Sequence, residues 1–298
     1  MRPSVSVVIP TIGRDRLRDA VASVMAQSFP VHEVIVCVDS DADVTSLLPV
    51  DPRVRALRVG PGAGGNAARQ CGVMAATGDL VALLDDDDLW AAEKLTTQLE
   101  LIGPARLDRS DWIATSRLVA RSRERDEIWP ARLIEHDESV TEYICRKHRI
   151  KGGQGFIQAS TLLFPRSLAL RVPFDESLRF HQDVAWLLDV DQRTPSLEIV
   201  QADEALTVYV IGEPSISGGT GIAAKDSAMW AEARITGDGR SLGDFILTTS
   251  TIYAARRGSP AEVLSTIRRG VSVGSPGVAA FGFAAYQFVR ATLLMLRK

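Results

Sequence analysis

The sequence predicts an α/β fold, a mixed and mostly parallel sheet flanked by helices, followed by a helical C-terminal region. Three observations lead there. Apolar runs over 4–10, 33–38 and 80–84, rich in Val, Ile and Leu, read as strands buried on both faces. Segments of helical period lie between them, such as Leu17, Val21, Val24 and Met25 on one face. The strand runs end in Pro10, in acidic turns or in a glycine loop, and open α/β sheets bind ligands at those carboxyl ends.

In chain order, Pro10 ends the first strand and a helix runs from Leu17 to about Gln27. The second strand ends in Asp39-Ser40-Asp41-Ala42-Asp43. A third, over 54–59, leads into Gly60-Pro61-Gly62-Ala63-Gly64-Gly65. Asn66 is expected to cap a helix over 67–76, which Gly78 closes. Residues 80–84 then carry Asp85-Asp86-Asp87-Asp88, and a helix is expected over 91–102, stopped by Gly103-Pro104. Beyond it the alternation weakens. We expect a strand over 111–120, a solvated charged turn over 121–126 and a helix near 137–148. A flexible loop at Gly152-Gly153-Gln154-Gly155, a strand over 156–164, a helix opening at His181 and one or two strands over 197–211 follow. The domain expectation is 1–215 for the sheet, in halves 1–105 and 106–215, and 216–298 for a helical region broken by Gly and Pro.

A chain of 298 residues, 46% hydrophobic and 24% charged, can build a sizeable core, and a net charge of −3 gives no electrostatic footprint for nucleic acid. Cys37, Cys71 and Cys145 are odd in number and form no C-x-x-C pair, which suits reduced, structural thiols in the cytosol. The first apolar run is too short for a signal-peptide core. No G-x-S-x-G elbow occurs, and the four histidines form no metal-ligand pattern, so serine hydrolase and zinc chemistry have no support.

Four adjacent carboxylates at a strand's end repel one another and call for a cation. Hard oxygen donors at this density suit Mg²⁺ or Mn²⁺, which share their remaining positions with water and phosphate, so a metal-bound phosphate compound is the expected ligand. One Asp would suffice for a helix cap. Gly62-x-Gly64-x-x-Ala67, with Asp85 about 20 residues on, has the local form of a dinucleotide fingerprint. Against NAD stand its place after the third strand, Arg69 on the first helical turn and the four acids in place of one. Arg69 is placed to reach a diphosphate.

Five ordered motifs resemble family 2 inverting glycosyltransferases of the GT-A fold. They are Val5-Ser6-Val7-Val8-Ile9-Pro10-Thr11, Ala22-Ser23-Val24-Met25-Ala26-Gln27-Ser28, Glu33-Val34-Ile35-Val36-Cys37-Val38-Asp39, Asn66-Ala67-Ala68-Arg69-Gln70-Cys71-Gly72, and 76–88 with its four aspartates. The match is close over about the first 100 residues and looser to about 215; it does not reach the last 80. The resemblance implies a nucleotide-sugar donor, UDP- or dTDP-linked, a glycan or lipid-linked acceptor, and Mg²⁺ or Mn²⁺ on a D-x-D motif. Asp87 and Asp85 are then the expected metal ligands, and Pro10, Thr11, Asp39, Arg69, Asp85 and Asp86 the donor contacts, with Asp39 reading the pyrimidine. Asp183, in His181-Gln182-Asp183-x-x-Trp186, is the expected general base. Gln182 departs from the family's acidic neighbour, and Tyr209-Val210-Ile211-Gly212-Glu213 lacks the His or Arg that many members place there. Two rival readings are a catalytically inactive nucleotide-sugar-binding partner subunit and an NAD-dependent oxidoreductase. Residues 278–296 are nearly uncharged apart from Arg290 and are flanked by basic residues. They are expected either to touch the inner face of the cell membrane or to pack on the catalytic domain or a second subunit.

Overall fold

The protein is described from a computed structural model over residues 2–151, 154–211 and 221–297. The expected loop residues Gly152 and Gly153, and Gly212 and Glu213, lie outside the described residues. The chain opens with β1 (Val5–Thr11), α1 (Leu17–Met25), β2 (Glu33–Val38), β3 (Val54–Arg58) and α2 (Gly65–Ala75). Next come β4 (Leu80–Leu83), β5 (Leu89–Trp90), α3 (Lys94–Ile102), α4 (Pro104–Leu107), β6 (Trp112–Arg121) and β7 (Asp126–Trp129). They are followed by α5 (Val140–Cys145), β8 (Leu163–Pro165), α6 (Arg166–Arg171), α7 (Gln182–Arg193) and β9 (Glu198–Val210). The helices α8 (Ala224–Arg234), α9 (Gly239–Phe245), α10 (Thr251–Arg256), α11 (Pro260–Val273) and α12 (Val278–Leu296) complete it, with a π-helical turn at Ile246–Ser250.

Two compact units result. The first takes residues 2–129 and 157–211; the second takes 130–151, 154–156 and 221–297. Residues 130–151 and 154–156, expected in the acceptor-side half of the sheet domain, therefore pack with the C-terminal helices. Inside that unit Asp244 is fully buried and accepts from Lys147 N (2.8 Å), Gly277 N (2.7 Å) and Arg240 Nε (2.8 Å). One carboxylate thus ties 147, the start of α12 and α9 together.

The first unit holds a nine-stranded sheet in the order β3-β2-β1-β4-β8-β6-β9-β5, with β7 on β6. β1, β2, β3 and β4 are mutually parallel, while β8 runs antiparallel to β4 and the far half is mixed. Val5, Val7, Ile9, Val34, Val36 and Leu80 are all buried in one cluster with α1, as β-branched runs covered on both faces should be. Because β2 and β4 lie on opposite sides of β1, the strand order reverses there, and a crevice opens at the carboxyl ends. The register Thr11↔Val38 and Val8↔Leu83 brings Thr11, Asp39 and the acidic run to that crevice.

Three local expectations are corrected. α2 starts at Gly65 with Gly64 as its cap; Asn66 instead lies buried in the helix and donates to Asp175 O at 2.9 Å. The expected helix start at 91 is displaced to Lys94 because Leu89 and Trp90 pair with Val208 and Thr207 of β9. The charged turn over 121–126 is exposed as expected, and it closes a hairpin, since Arg121 pairs with Asp126 across β6 and β7. Residues 156–164 are not one strand: the Gln158 side chain accepts from Ser160 N at 2.7 Å and turns Ala159–Thr161 into a 3₁₀ helix.

Gly72 lets α2 lie on β1, for a Cβ there would overlap Val8 Cγ1 and reach Cys37 Sγ at 3.0 Å. Gly72→Ala should therefore lower stability by roughly 1–3 kcal/mol in urea denaturation, despite about 1 kcal/mol of gain in helix propensity. A stabilised variant would show that α2 can move off the sheet.

Candidate active site

The crevice is built from the ends of β1, β2 and β4 and from the loops before α2 and α7. Its acidic run is not uniform. Asp86 and Asp88 are 4% and 1% exposed, whereas the side chains of Asp85 and Asp87 keep 25% and 22%. Asp86 accepts from Thr11 Oγ1 at 2.5 Å and from Arg14 Nη1 at 3.0 Å. Asp88 accepts from Ser160 Oγ at 2.6 Å, Gln158 Nε2 at 3.0 Å and Val210 N at 3.4 Å. Asp88 thus joins the end of β4 to the 3₁₀ turn and β9 and caps no helix. Asp86, expected to touch the donor, is turned inward and holds Thr11 and Arg14 in place.

The alternate pair faces the crevice. Asp85 accepts from Arg69 Nη2 at 2.6 Å and Gln158 Nε2 at 3.0 Å, and Asp87 from Arg14 Nη1 at 3.0 Å. Arg69 is buried in α2, and its Nη1 also donates to Gln182 Oε1 at 3.1 Å, in the residue before Asp183. Gln182, neutral where the family has an acid, therefore accepts from Arg69 without adding charge. Asp183 lies partly buried in the first turn of α7, with Val184 N donating to its Oδ1 at 2.9 Å. His181 just before it has φ 52°, the one non-glycine residue in the left-handed region among those described.

Asp39, at the end of β2, accepts from Ala63 N and Gly64 N, both at 2.7 Å. Its carboxylate occupies the space a side chain at Gly60 would need, so the glycine is required by close approach. Arg179 Nη1 donates to Ala63 O at 2.9 Å, which closes the loop from the α7 side. Two of the loop amides that would cradle a pyrophosphate are committed to Asp39, and Asp85 is bound to Arg69. The dinucleotide reading of this loop is therefore set aside. Of the residues the sequence singled out, Thr11, Asp39, Arg69, Asp85, Asp86, Asp87 and Asp183 are brought together here from β1, α2, α7 and the turns after β2 and β4, and Pro10 lies in β1 opposite Cys37. Sequence reasoning missed Arg14, Gln158, Ser160 and Arg179. Arg14 follows the Pro10-Thr11 turn closely enough to have been suspected; nothing in the sequence marks the others.

Charge is unbalanced here. Burial, then Asp85 and Asp86, push the Asp87 carboxyl up to about 6 against the opposing Arg14. Burial, then Asp85, lift Asp88 well above the usual carboxylate range, and burial raises Asp86 and Asp183 as well, the latter opposed by Arg69. Among the described residues no three His, Cys, Asp or Glu side chains form a cage for a metal ion. Two partly exposed carboxylates with excess negative charge behind them fit a cation that takes one or two protein ligands and fills the rest with water and phosphate.

A model of glycosyl transferase family 2 matches residues 6–170, more than half of the 298. The chain belongs to that family. It is 29% identical over 240 residues to the amylovoran biosynthesis glycosyltransferase AmsB of Erwinia amylovora, covering 77% of each protein. Over 102 residues it is 30% identical to the UDP-Glc:alpha-D-GlcNAc-diphosphoundecaprenol beta-1,3-glucosyltransferase WfgD of Escherichia coli, 33% of this chain and 40% of that one. The crystal structure of S. aureus TarS 1-349 in complex with UDP-GlcNAc matches with a TM-score of 0.58 at 13% identity, over 99% of this chain and 92% of that one. This glycosyltransferase accordingly has the GT-A fold expected from its motifs.

The raised Asp87 carboxyl sets a pH dependence. A carboxyl whose folded value lies near 6, above an unfolded value of about 3.9, holds its proton more tightly in the folded chain. Its contribution to metal-free stability is thus most favourable below about pH 4 and is lost as pH rises to about 6, on the order of 2–3 kcal/mol. Asp87→Asn should flatten that fall and raise the metal-free Tm at pH 7.5. An unchanged slope between pH 4 and 6 would remove Asp87 as its source.

Proposed function

We propose that this glycosyltransferase moves one sugar, with inversion, from a UDP- or dTDP-sugar to a hydroxyl of a glycan or lipid-linked acceptor, in the biosynthesis of a cell-surface polysaccharide. The observation that carries the reading is the exposure of Asp85 and Asp87 beside buried Asp86 and Asp88, with Arg69 bonded to Asp85 and under the charge of Asp183 as well. AmsB and WfgD, named for amylovoran biosynthesis and for glucosyl transfer to a diphosphoundecaprenol-linked sugar, support the class of product and acceptor. The TarS complex with UDP-GlcNAc supports a uridine nucleotide donor. Cys37, Cys71 and Cys145 form no disulfide among the described residues, which suits a reducing cytoplasm.

In this reading Asp85 and Asp87 hold Mg²⁺ or Mn²⁺. When bound, the cation carries the charge of the departing diphosphate, so that leaving group needs no proton. Arg14 and Arg69, now paired with these carboxylates, are the side chains placed to turn toward phosphate oxygens. Asp39 keeps lone pairs beyond its two loop bonds, and one of them accepts the pyrimidine N3–H, with Pro10 and Thr11 as the facing wall. Asp183 takes the proton of the acceptor hydroxyl as that oxygen bonds to the anomeric carbon and the bond to the diphosphate breaks on the opposite face. Burial favours the protonated acid at Asp183 while Arg69 opposes it, which leaves a carboxylate more basic than usual for the role.

Asp183→Asn keeps the shape and the bond from Val184 N and removes the base. It should cut transfer by at least about 10²-fold while donor affinity stays near normal; near-wild-type turnover would refute the assignment, whereas donor binding with no transfer by the unmodified protein would favour an inactive nucleotide-sugar-binding subunit. Asp87→Ala should abolish the Mn²⁺-dependent part of UDP binding measured by calorimetry. Asp39→Asn should erase the preference for UDP over ADP, and equal affinity of the unmodified protein for both would remove Asp39 from base recognition.

A further inference from the structure

Helix α12 is packed inside out. Its buried face is Ala280, Ala284, Gln287 and Ala291, small or polar, set against α10 and α11. Its outward face carries Val278, Phe281, Val289, Leu293 and Leu296, with Val289 55% and Leu293 53% exposed while Ala284 and Ala291 are fully covered. An ordinary surface helix does the reverse. The apolar band continues onto the neighbouring loop, where Ile150, 55% exposed, packs on Gly282: a Cβ there would meet Ile150 Cδ1 at 2.7 Å. Arg149 and Lys151 flank Ile150 and are exposed, and Arg290 and Arg297 stand along and at the end of the helix. No acidic residue occurs over 143–156 or 263–298, and residues 214–298 carry ten basic against five acidic side chains in a chain of net charge −3.

We propose that this band is a membrane-docking surface, seated in the headgroup region of a bilayer rich in anionic lipid. Apolar residues enter the headgroup and acyl boundary while the basic rim meets anionic headgroups. α12 is 19 residues long and apolar enough to cross a bilayer, but its Gln287 face is held by α10 and α11, so it lies in the interface plane. A second copy of the chain is the poorer occupant, because a two-fold interface through this band would set Arg149, Lys151, Arg290 and Arg297 against like charges. The proposal concerns where the enzyme works and holds whatever sugar it transfers.

Flotation of the full chain with vesicles decides it. The protein should float with phosphatidylcholine vesicles containing phosphatidylglycerol, several-fold less with phosphatidylcholine alone, and less as salt rises. Val289→Glu/Leu293→Glu should lower the bound fraction by at least about tenfold with unchanged helical circular dichroism. Arg149→Glu/Lys151→Glu, on an exposed loop, should weaken binding to the anionic vesicles alone. Failure of the unmodified chain to float, or either double variant floating like it, would overturn the proposal. So would a dimer in sedimentation that Val289→Glu/Leu293→Glu dissociates, since the band would then belong to a second copy.

Discussion

Five carboxylates, Asp85 to Asp88 and Asp183, meet at the ends of parallel strands with two guanidinium groups, Arg14 and Arg69, set among them, and the rest of the site is arranged around that imbalance. Two of the acids are made tolerable by burial against donors: Asp86 by Thr11 and Arg14, and Asp88 by Ser160, Gln158 and the Val210 amide. Their bonds keep the other two, Asp85 and Asp87, pointed at the crevice. Because buried acids would lose more than they gain if left without donors, the turn at 158–161 and the end of β9 are bound as tightly to the acidic run as β4 itself. Trp90 extends this lock, its Nε1 donating to Ser160 O at 2.8 Å while the buried Lys94 Nζ lies 4.2 Å from its ring centroid.

A second set of bonds fixes the glycine-loop side of the crevice. Asp39 gathers the glycine loop through two amides, Arg179 closes it from the segment before α7, and Asn66 reaches Asp175 O in that same segment. The loop before α2 and the loop before α7 are thus one unit, and Arg69 passes the connection on to Asp85 and Gln182. His181 in the left-handed region is the bend that lets α7 begin with Asp183 on the crevice side. Strain of this kind, held in place by surrounding bonds, is common beside reacting groups.

The expectations that failed share a cause. Asn66 has the chemistry of a cap, residue 91 stands where a helix should start, and residues 156–164 alternate well enough for a strand. In each case partners distant in sequence won: Asp175 for Asn66, Val208 and Thr207 for Leu89 and Trp90, and Asp85 and Asp88, which hold the Gln158 side chain, for the turn at Ala159. Local propensities of a few tenths to about 1 kcal/mol yield to a satisfied buried polar group, whose loss costs about 1–3 kcal/mol.

What the sequence determined alone is what depends on local pattern and chain order. The strands β1, β2 and β4, α1 and α2 between them, and the acidic and glycine turns at their ends follow from apolar periodicity and turn chemistry, and five motifs in order identify the family. Tertiary structure alone decided which of four equivalent aspartates stay exposed, because a run of identical side chains has no internal signal and the burial of Asp88 is set by neighbours 70 to 122 residues away, Gln158, Ser160 and Val210. It also decided the outward face of α12. Its composition reads equally as a core helix or a lipid-facing one, and the side on which Ala284 and Ala291 pack leaves Val289 and Leu293 outside.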